Sequence, residues 1–77
     1  MQTKKLSDLK PGQSGRILKV SGGGKLHHRM MDMGLVTGAL IKVIKVAPLG
    51  DPIEFMIKGY NLSLRKSEAH EVTVEVP

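Results

Sequence analysis

The sequence has no cysteine and no tryptophan, and its aromatic residues are limited to one phenylalanine and one tyrosine. Without cysteine, neither a disulfide nor a thiolate-bound zinc ion can stabilise the chain. With so few aromatic side chains, the core must be built from Leu, Ile, Val and Met. The 77 residues are enough for one small domain, 1–77, which depends on good packing for its stability.

Long hydrophobic runs are also missing. No apolar stretch approaches the roughly eighteen residues that a membrane-spanning helix needs. The N-terminal segment MQTKKLSDLK carries charges, but no apolar stretch or small-residue cleavage site follows it. We therefore expect a cytoplasmic protein without direct membrane insertion.

The charge is distributed unevenly along the chain. Residues 1–29 carry seven basic residues and one acidic residue, whereas residues 30–77 carry five basic and six acidic residues. This asymmetry suits an anionic partner such as nucleic acid, lipid headgroups or an acidic protein. Because the lysines are scattered rather than clustered, a solvated basic face is the favoured interpretation.

Five short segments have the composition of β-strands. Segment 39–46 is apolar on both faces, which predicts a central strand that is largely covered. Gly59 and Asn61 predict a tight hairpin turn with positive φ. Short strands at this spacing favour a closed or nearly closed barrel and a mainly β fold. The predicted strands are GRILKV (15–20), ALIKVIKV (39–46), IEFMIK (53–58), LSLR (62–65) and VTVEV (72–76).

One helix is predicted between the first and second of these strands, in KLHHRMMDM (25–33). Leu26, Met30 and Met33 share one helical face, which indicates a side packed against the core. Gly34 follows where a helix commonly needs a left-handed residue.

Potential metal ligands are concentrated in this helix. His28 and Asp32 are spaced i, i+4 and could bind a divalent cation adventitiously. A specific site needs three or four ligands, and nothing in the sequence places His70, the remaining imidazole, beside them. The favoured interpretation is therefore a packed helix, and we expect neither a specific metal site nor a cofactor.

Catalytic motifs are not found. The GGGK segment fails the phosphate-loop pattern because Lys19 and Leu26 occupy the positions that need Gly and Ser or Thr. The serines lack a patterned histidine partner, and no paired carboxylates occur. We predict no catalytic residues and no enzymatic activity.

Nucleic-acid binding is disfavoured because proteins that bind single strands stack bases on aromatic side chains. Only Phe55 and Tyr60 are available, and Phe55 is expected to face inward. A purely electrostatic contact stays open as an alternative.

Three segments together resemble FeoA-type ferrous-iron-transport accessory proteins. The resemblance extends from Leu6 to Val74 and is most specific in RMMDMGLVTG (29–38), PLGDP (48–52) and NLSLRKSEA (61–69). The same domain type occurs at the C-terminus of DtxR-type metal-dependent repressors, but this chain has no helix-turn-helix segment. The resemblance implies a small SH3-like β-barrel of about five short strands with one inserted α-helix.

The resemblance also implies a role as a cytoplasmic adaptor or regulator of ferrous iron uptake. Such proteins are thought to act on FeoB-type membrane GTPase transporters, without catalytic residues or a cofactor of their own. Two alternatives stay open: a metal-sensing module that binds a divalent transition metal, and a basic nucleic-acid-binding barrel. Weak homo-oligomerisation through apolar strands is also compatible with the sequence.

The expected partner surface is the exposed side of the predicted helix and the turn after it, with both of its histidines facing solvent. Its candidate residues are Lys25, His27, His28, Arg29, Met31 and Leu35. Structural turns are expected at Gly34, Gly38, Gly50, Pro52 and Gly59.

Overall fold

The computed structural model describes residues 2–77, which form one six-stranded antiparallel sheet in the order β1-β6-β2-β3-β4-β5. The sheet wraps around a single apolar core like a barrel, although no hydrogen bonding joins β1 to β5. A 3-10 helix at Leu6–Asp8 packs against the second α-helix. The strands are β1 (Gln2–Lys5), β2 (Ser14–Val20), β3 (Leu40–Val46), β4 (Ile53–Ile57), β5 (Tyr60–Leu64) and β6 (Val72–Val76), and the helices are α1 (Gly24–Asp32) and α2 (Lys66–Ala69).

The mainly β fold with a helix between the first two predicted strands is confirmed, but the strand count was one too low. The additional strand is β1, whose residues Gln2–Lys5 have no apolar alternation and so give no strand signal in the sequence. This strand lies at the edge of the sheet and pairs only with β6, from Gln2↔Val76 to Lys5↔Thr73. Backbone hydrogen bonds to β6, rather than side-chain burial, therefore hold it in place.

Alternating burial along the strands defines the inner face of the sheet. In β4, Ile53, Phe55 and Ile57 are buried while Met56 is exposed, as the sequence predicts. Met30 is the one α1 residue that is fully buried, and it closes the core on the helical side. The fully buried large side chains are Leu6, Ile17, Met30, Leu35, Ile41, Val43, Phe55, Ile57, Leu64, Val72 and Val74.

Two β-bulges interrupt this alternation. In β2, Ile17 pairs with Val74 and Lys19 pairs with Thr73, so Leu18 is the extra residue. In β3, the register shifts in the same way between Val43 and Lys45, which leaves Ile44 as the extra residue. A bulge places two residues opposite one on the neighbouring strand. The residues on either side of each bulge therefore point to opposite faces of the sheet, whereas residues two positions apart in a regular strand share one face.

The expectation that β3 is largely covered on both faces is wrong. Ile41 and Val43 are buried, but Leu40 is 60% exposed and Val46 is 37% exposed. The strand is central in the sheet, between β2 and β4, yet only its inner face is covered. Its apolar residues follow one another closely because Ile44 is the extra residue of the bulge and because Leu40 and Val46 are apolar but exposed.

The turn between β4 and β5 lies earlier in the chain than the predicted turn at Gly59 and Asn61. Ile57 pairs with Tyr60, so the loop consists of Lys58 and Gly59, both with positive φ. This is the backbone of a two-residue type I′ hairpin. Asn61 lies in β5 rather than in the turn. Positive φ is also found at the other expected turn glycines, Gly34, Gly38 and Gly50, and Pro52 follows a cis peptide bond.

Candidate protein-contact surface

Helix α1 presents most of the residues that the sequence analysis proposed for partner binding. Lys25, His28 and Arg29 are exposed, and Met31 is 44% exposed. Leu35, in contrast, is fully buried and cannot contact a partner. It folds back beneath the helix because its amide donates to the carbonyl oxygen of Met30 over 3.0 Å.

His27 is also placed differently from the expectation. It is half-buried, and its ring Nδ1 lies 3.2 Å from the carbonyl oxygen of Val20, within hydrogen-bonding distance. This contact ties the first turn of α1 to the end of β2. Only His28 of the two neighbouring histidines faces solvent freely, as the sequence analysis had expected of both.

A shallow cleft of about 150 Å³ lies between α1, the end of β2 and the turn after the helix. Met31 forms an exposed wall of this cleft, and Thr37, which also lines it, donates from its hydroxyl to the carbonyl oxygen of Leu18 over 3.3 Å. The cleft is large enough to receive one apolar side chain. Its lining residues are Val20, His27, Met31, Leu35, Val36 and Thr37.

Arg29 has an intramolecular partner that the sequence did not reveal. Its Nη1 lies 2.9 Å from Oε2 of Glu68, and the other oxygen of this carboxylate accepts a hydrogen bond of 2.8 Å from the backbone N–H of Arg65. Glu68 therefore caps α2 and binds α1 with the same side chain. Arg29 retains 60% side-chain exposure, so it can border a contact surface while holding the two helices together.

The C-terminal end of α1 is held by β5. The Tyr60 hydroxyl donates to the carbonyl oxygen of Met33, a group that has no partner within the helix. Gly34 follows with φ +93°, and a Cβ at this position would lie 2.9 Å from the Tyr60 hydroxyl oxygen. The backbone conformation of the turn therefore favours glycine, and a side chain at this position would also displace the Tyr60 hydroxyl.

The aromatic residues do not form a nucleic-acid platform. Phe55 is fully buried, and the hydroxyl of Tyr60 is engaged with Met33. Base stacking on aromatic side chains therefore has no exposed pair of rings to use in residues 2–77.

The possible metal ligands are dispersed. His28, Asp32 and His70 are all exposed, and within residues 2–77 no three His, Asp or Glu side chains come together as a metal-binding group. The pair formed by His28 and Asp32 stays as predicted, at the i, i+4 spacing on α1. None of the helices in this part of the chain has the length and apolar character required to cross a membrane.

Comparison with known proteins decides the family. The family model described as the FeoA domain matches residues 4–76. The chain belongs to the FeoA domain family. The predicted resemblance is thereby confirmed, and it links the chain to a family associated with ferrous iron transport.

A curated relative joins this domain to a transporter. The chain is 40% identical over 72 residues to the Fe(2+) transport protein A/Fe(2+) transporter FeoB fusion protein of Porphyromonas gingivalis. The match covers 94% of this chain but only 8% of the fusion protein. The FeoA domain is therefore a small part of that relative, and the rest of it has no counterpart in the present chain.

Solved FeoA structures share the fold. Iron(II) transport protein A from Clostridium thermocellum is 46% identical with a TM-score of 0.90, and the match covers 95% of this chain and 45% of that chain. FeoA of Stenotrophomonas maltophilia, solved in complex with zinc and described as a procaryotic SH3 domain protein, is 25% identical with a TM-score of 0.80. That match covers 97% of this chain and 91% of the other, and it confirms the predicted SH3-like architecture.

The expected likeness to metal-dependent repressors is present at the level of the fold. IdeR of T. acidophilum superposes with a TM-score of 0.87 over the whole of this chain and 35% of its own length. The two are 20% identical, so the likeness concerns the fold alone.

Proposed function

We propose that this FeoA domain is a cytoplasmic adaptor that regulates ferrous iron uptake by binding a FeoB-type membrane GTPase transporter. The observation that carries the proposal is the fusion of a 40% identical domain to the transporter FeoB in one relative. Fusion keeps two domains at a high effective concentration, which is useful when their separate forms also associate. The proposal includes no catalysis and no cofactor.

The partner surface that we propose is the exposed side of α1 with the adjoining cleft. Met31 supplies an apolar wall, and the exposed side chains of Lys25 and His28 supply a polar border. An apolar centre with a polar rim is the usual anatomy of a protein interface. Leu35 lines the cleft but is fully buried, so it is not one of the proposed contact residues.

The test compares two methionines of equal exposure. Met31 is 44% exposed beside the cleft, and Met56 is 41% exposed on the outer face of β4. We expect Met31→Glu to weaken binding to the transporter about tenfold or more, because it places a charge in the apolar centre of the interface. Met56→Glu should change the affinity less than about twofold, since it lies outside the proposed surface.

The measurement is an NMR titration of the labelled chain with the cytoplasmic part of a FeoB-type transporter from the same organism, at physiological salt. Localised shifts on residues 25–31 and 36–37 are the expected result. Equal effects of the two methionine variants would contradict our choice of surface. A complete absence of shifts, also with the intact transporter in detergent, would contradict the adaptor function itself.

Direct metal sensing is the second candidate function. It is favoured by the zinc in the Stenotrophomonas structure and by the exposed His28–Asp32 pair on α1. Anaerobic calorimetry with ferrous iron, and separately with zinc, tests it. Binding at micromolar concentration that is lost in His28→Ala would support this candidate, whereas millimolar or absent binding would reject it.

A further inference from the structure

Leu49 is the most exposed large apolar side chain in residues 2–77. It is 96% exposed, whereas the next, Leu40, is 60% exposed and the others lie between 37% and 44%. Single exposed leucines are common on protein surfaces and need no functional reason. The local backbone around Leu49, however, makes this one unusual.

The loop that carries Leu49 is fixed by hydrogen bonds at both ends. The Gly50 N–H donates to the carbonyl oxygen of Ala47 over 2.8 Å, which closes a turn with Pro48 and Leu49 at its tip. The Ala47 N–H donates to the carbonyl oxygen of Pro52 over 3.0 Å, which joins the two ends of the loop. The leucine is therefore held away from the barrel on an ordered support.

Residue Asp51 connects this loop to α2. Its Oδ1 accepts a hydrogen bond of 2.8 Å from the backbone N–H of Lys66, at the start of the helix. The loop is thus attached to the barrel through α2 as well as through β3 and β4. A support that is ordered before binding loses little conformational entropy when a partner binds.

We propose that Leu49 is an anchor residue that inserts into an apolar pocket on the cytoplasmic part of the FeoB-type transporter. This inference rests on the proposed adaptor function and adds a second contact to the one on α1. Leu49 makes no contribution to the core, so a polar residue would serve the fold equally well at this position. An exposed apolar side chain on a preorganised turn is the arrangement that anchor residues in interfaces require.

The charges beside the loop define the rim of the complementary pocket. Arg65 borders the same surface depression as Asp51 and Pro52, and Lys66 follows it in sequence. Both basic residues are exposed, and neither takes part in an ion pair among residues 2–77. The pocket that fits this tip is apolar at its centre, of leucine size, with acidic groups at its rim.

A protein pocket fits the tip better than a lipid surface. One leucine and two cations form a weak membrane anchor, because stable attachment needs a larger apolar group or a polybasic cluster. A shaped pocket gains packing contacts on all sides of the same leucine.

The experiment uses calorimetry to measure affinity for the intact transporter of the same organism in detergent. Three proteins are compared: the unmodified chain, Leu49→Ala and Leu40→Ala. Leu40 is the matched control because it is the next most exposed leucine and lies on β3. We expect Leu49→Ala to weaken binding roughly ten- to fiftyfold, from the loss of three buried carbon atoms. Leu40→Ala should change it less than about twofold, and both variants should keep the melting temperature of the unmodified chain.

The outcomes separate this inference from the proposed function. If the unmodified chain does not bind the transporter, the adaptor function is wrong and the anchor fails with it. If the unmodified chain binds and Leu49→Ala binds equally well, or loses no more than Leu40→Ala, the adaptor function stands and the anchor is wrong. Binding to phosphatidylglycerol vesicles that is lost in Leu49→Ala would assign Leu49 to the membrane and overturn the protein pocket.

Discussion

Substituting Gly34 by alanine should destabilise the fold more than the same substitution at Gly38, although the two backbones are nearly identical. Gly34 has φ +93° and Gly38 has φ +92°. A Cβ added at Gly34 would lie 2.9 Å from the hydroxyl oxygen of Tyr60, whereas a Cβ added at Gly38 meets nothing within 4 Å. The pair therefore separates the cost of the backbone conformation from the cost of crowding Tyr60.

The expected magnitudes follow from these two contributions. Placing an L-residue in the left-handed region costs about 1–2 kcal/mol at either position. At Gly34 the Tyr60 hydroxyl must also shift, which disturbs its hydrogen bond to the Met33 carbonyl and adds at most about 0.5–1.5 kcal/mol. We expect Gly34→Ala to lower the free energy of unfolding by roughly 2–3 kcal/mol and Gly38→Ala by roughly 1–2 kcal/mol.

The assay is urea unfolding followed by far-UV circular dichroism. For a domain of this size the slope m is about 1 kcal/mol/M, so a difference of about 1 kcal/mol moves the midpoint by about 1 M. Tyr60→Phe completes a double-mutant cycle, because it removes the hydroxyl and leaves the nearest ring carbon 4.0 Å from the added Cβ. With phenylalanine at position 60, Gly34→Ala should lower the free energy of unfolding no more than Gly38→Ala does.

One result would refute this reasoning. If Gly34→Ala costs the same with tyrosine and with phenylalanine at position 60, the hydroxyl is not what excludes a side chain at Gly34. The larger cost would then belong to the backbone of the turn alone.

Three further predictions concern the stability of the barrel and are measured by the same unfolding assay. Met30→Ala should lower the free energy of unfolding by about 2–5 kcal/mol because Met30 is fully buried, while Met31→Ala, 44% exposed, should stay within about 0.5 kcal/mol; equal effects would contradict the packing of α1. Glu68→Ala should lower the free energy of unfolding by about 1–2 kcal/mol, because it removes the cap of α2 as well as the pair with Arg29. Arg29→Ala should lower it by less than about 1 kcal/mol, because this arginine is 60% exposed. An equal or larger loss of stability in Arg29→Ala than in Glu68→Ala would contradict this prediction. Asp51→Ala should cost about 0.5–1.5 kcal/mol through the lost acceptor for the Lys66 N–H, and Asp51→Asn, which keeps an oxygen acceptor, should recover most of it.

The sequence predicts those elements whose pattern is local. In α1 the apolar residues recur at helical spacing, and Met30 is buried as this spacing indicates. In β4 the alternation of Ile53 and Phe55 with Glu54 and Met56 identifies the inner face. Both signals lie within a few residues, so no knowledge of the rest of the chain is needed to recognise them.

Features that depend on distant residues could not be predicted in this way. Strand β1 exists because β6, more than sixty residues later, supplies its hydrogen-bonding partner, and nothing in QTKK indicates this. The pair between Arg29 and Glu68 spans 39 positions, and the bond from Tyr60 to Met33 spans 27. Chain folding brings these groups together, whereas the sequence shows only their separate chemical types.

The candidate surface shows the same division. The composition of α1 correctly indicated exposed polar residues such as Lys25 and His28. The burial of Leu35 depends on the return of the chain beneath the helix, and the half-buried position of His27 depends on the end of β2. The exposure of Leu49 could not be predicted, because the sequence around a leucine between Pro48 and Gly50 is compatible with a packed or a protruding side chain. No local signal would have found it.

The bulges in β2 and β3 have a consequence for the tolerance of the barrel to changes in chain length. Deleting one residue from a regular strand exchanges the inner and outer faces of everything beyond the deletion. Deleting Leu18 would instead place Lys19 directly after Ile17. These two residues already pair with the consecutive residues Val74 and Thr73 of β6, so the register would not change. Deleting Ile44 would likewise join Val43 to Lys45 in the register that β4 imposes. We therefore expect that this chain can lose one residue at either bulge and keep the same core.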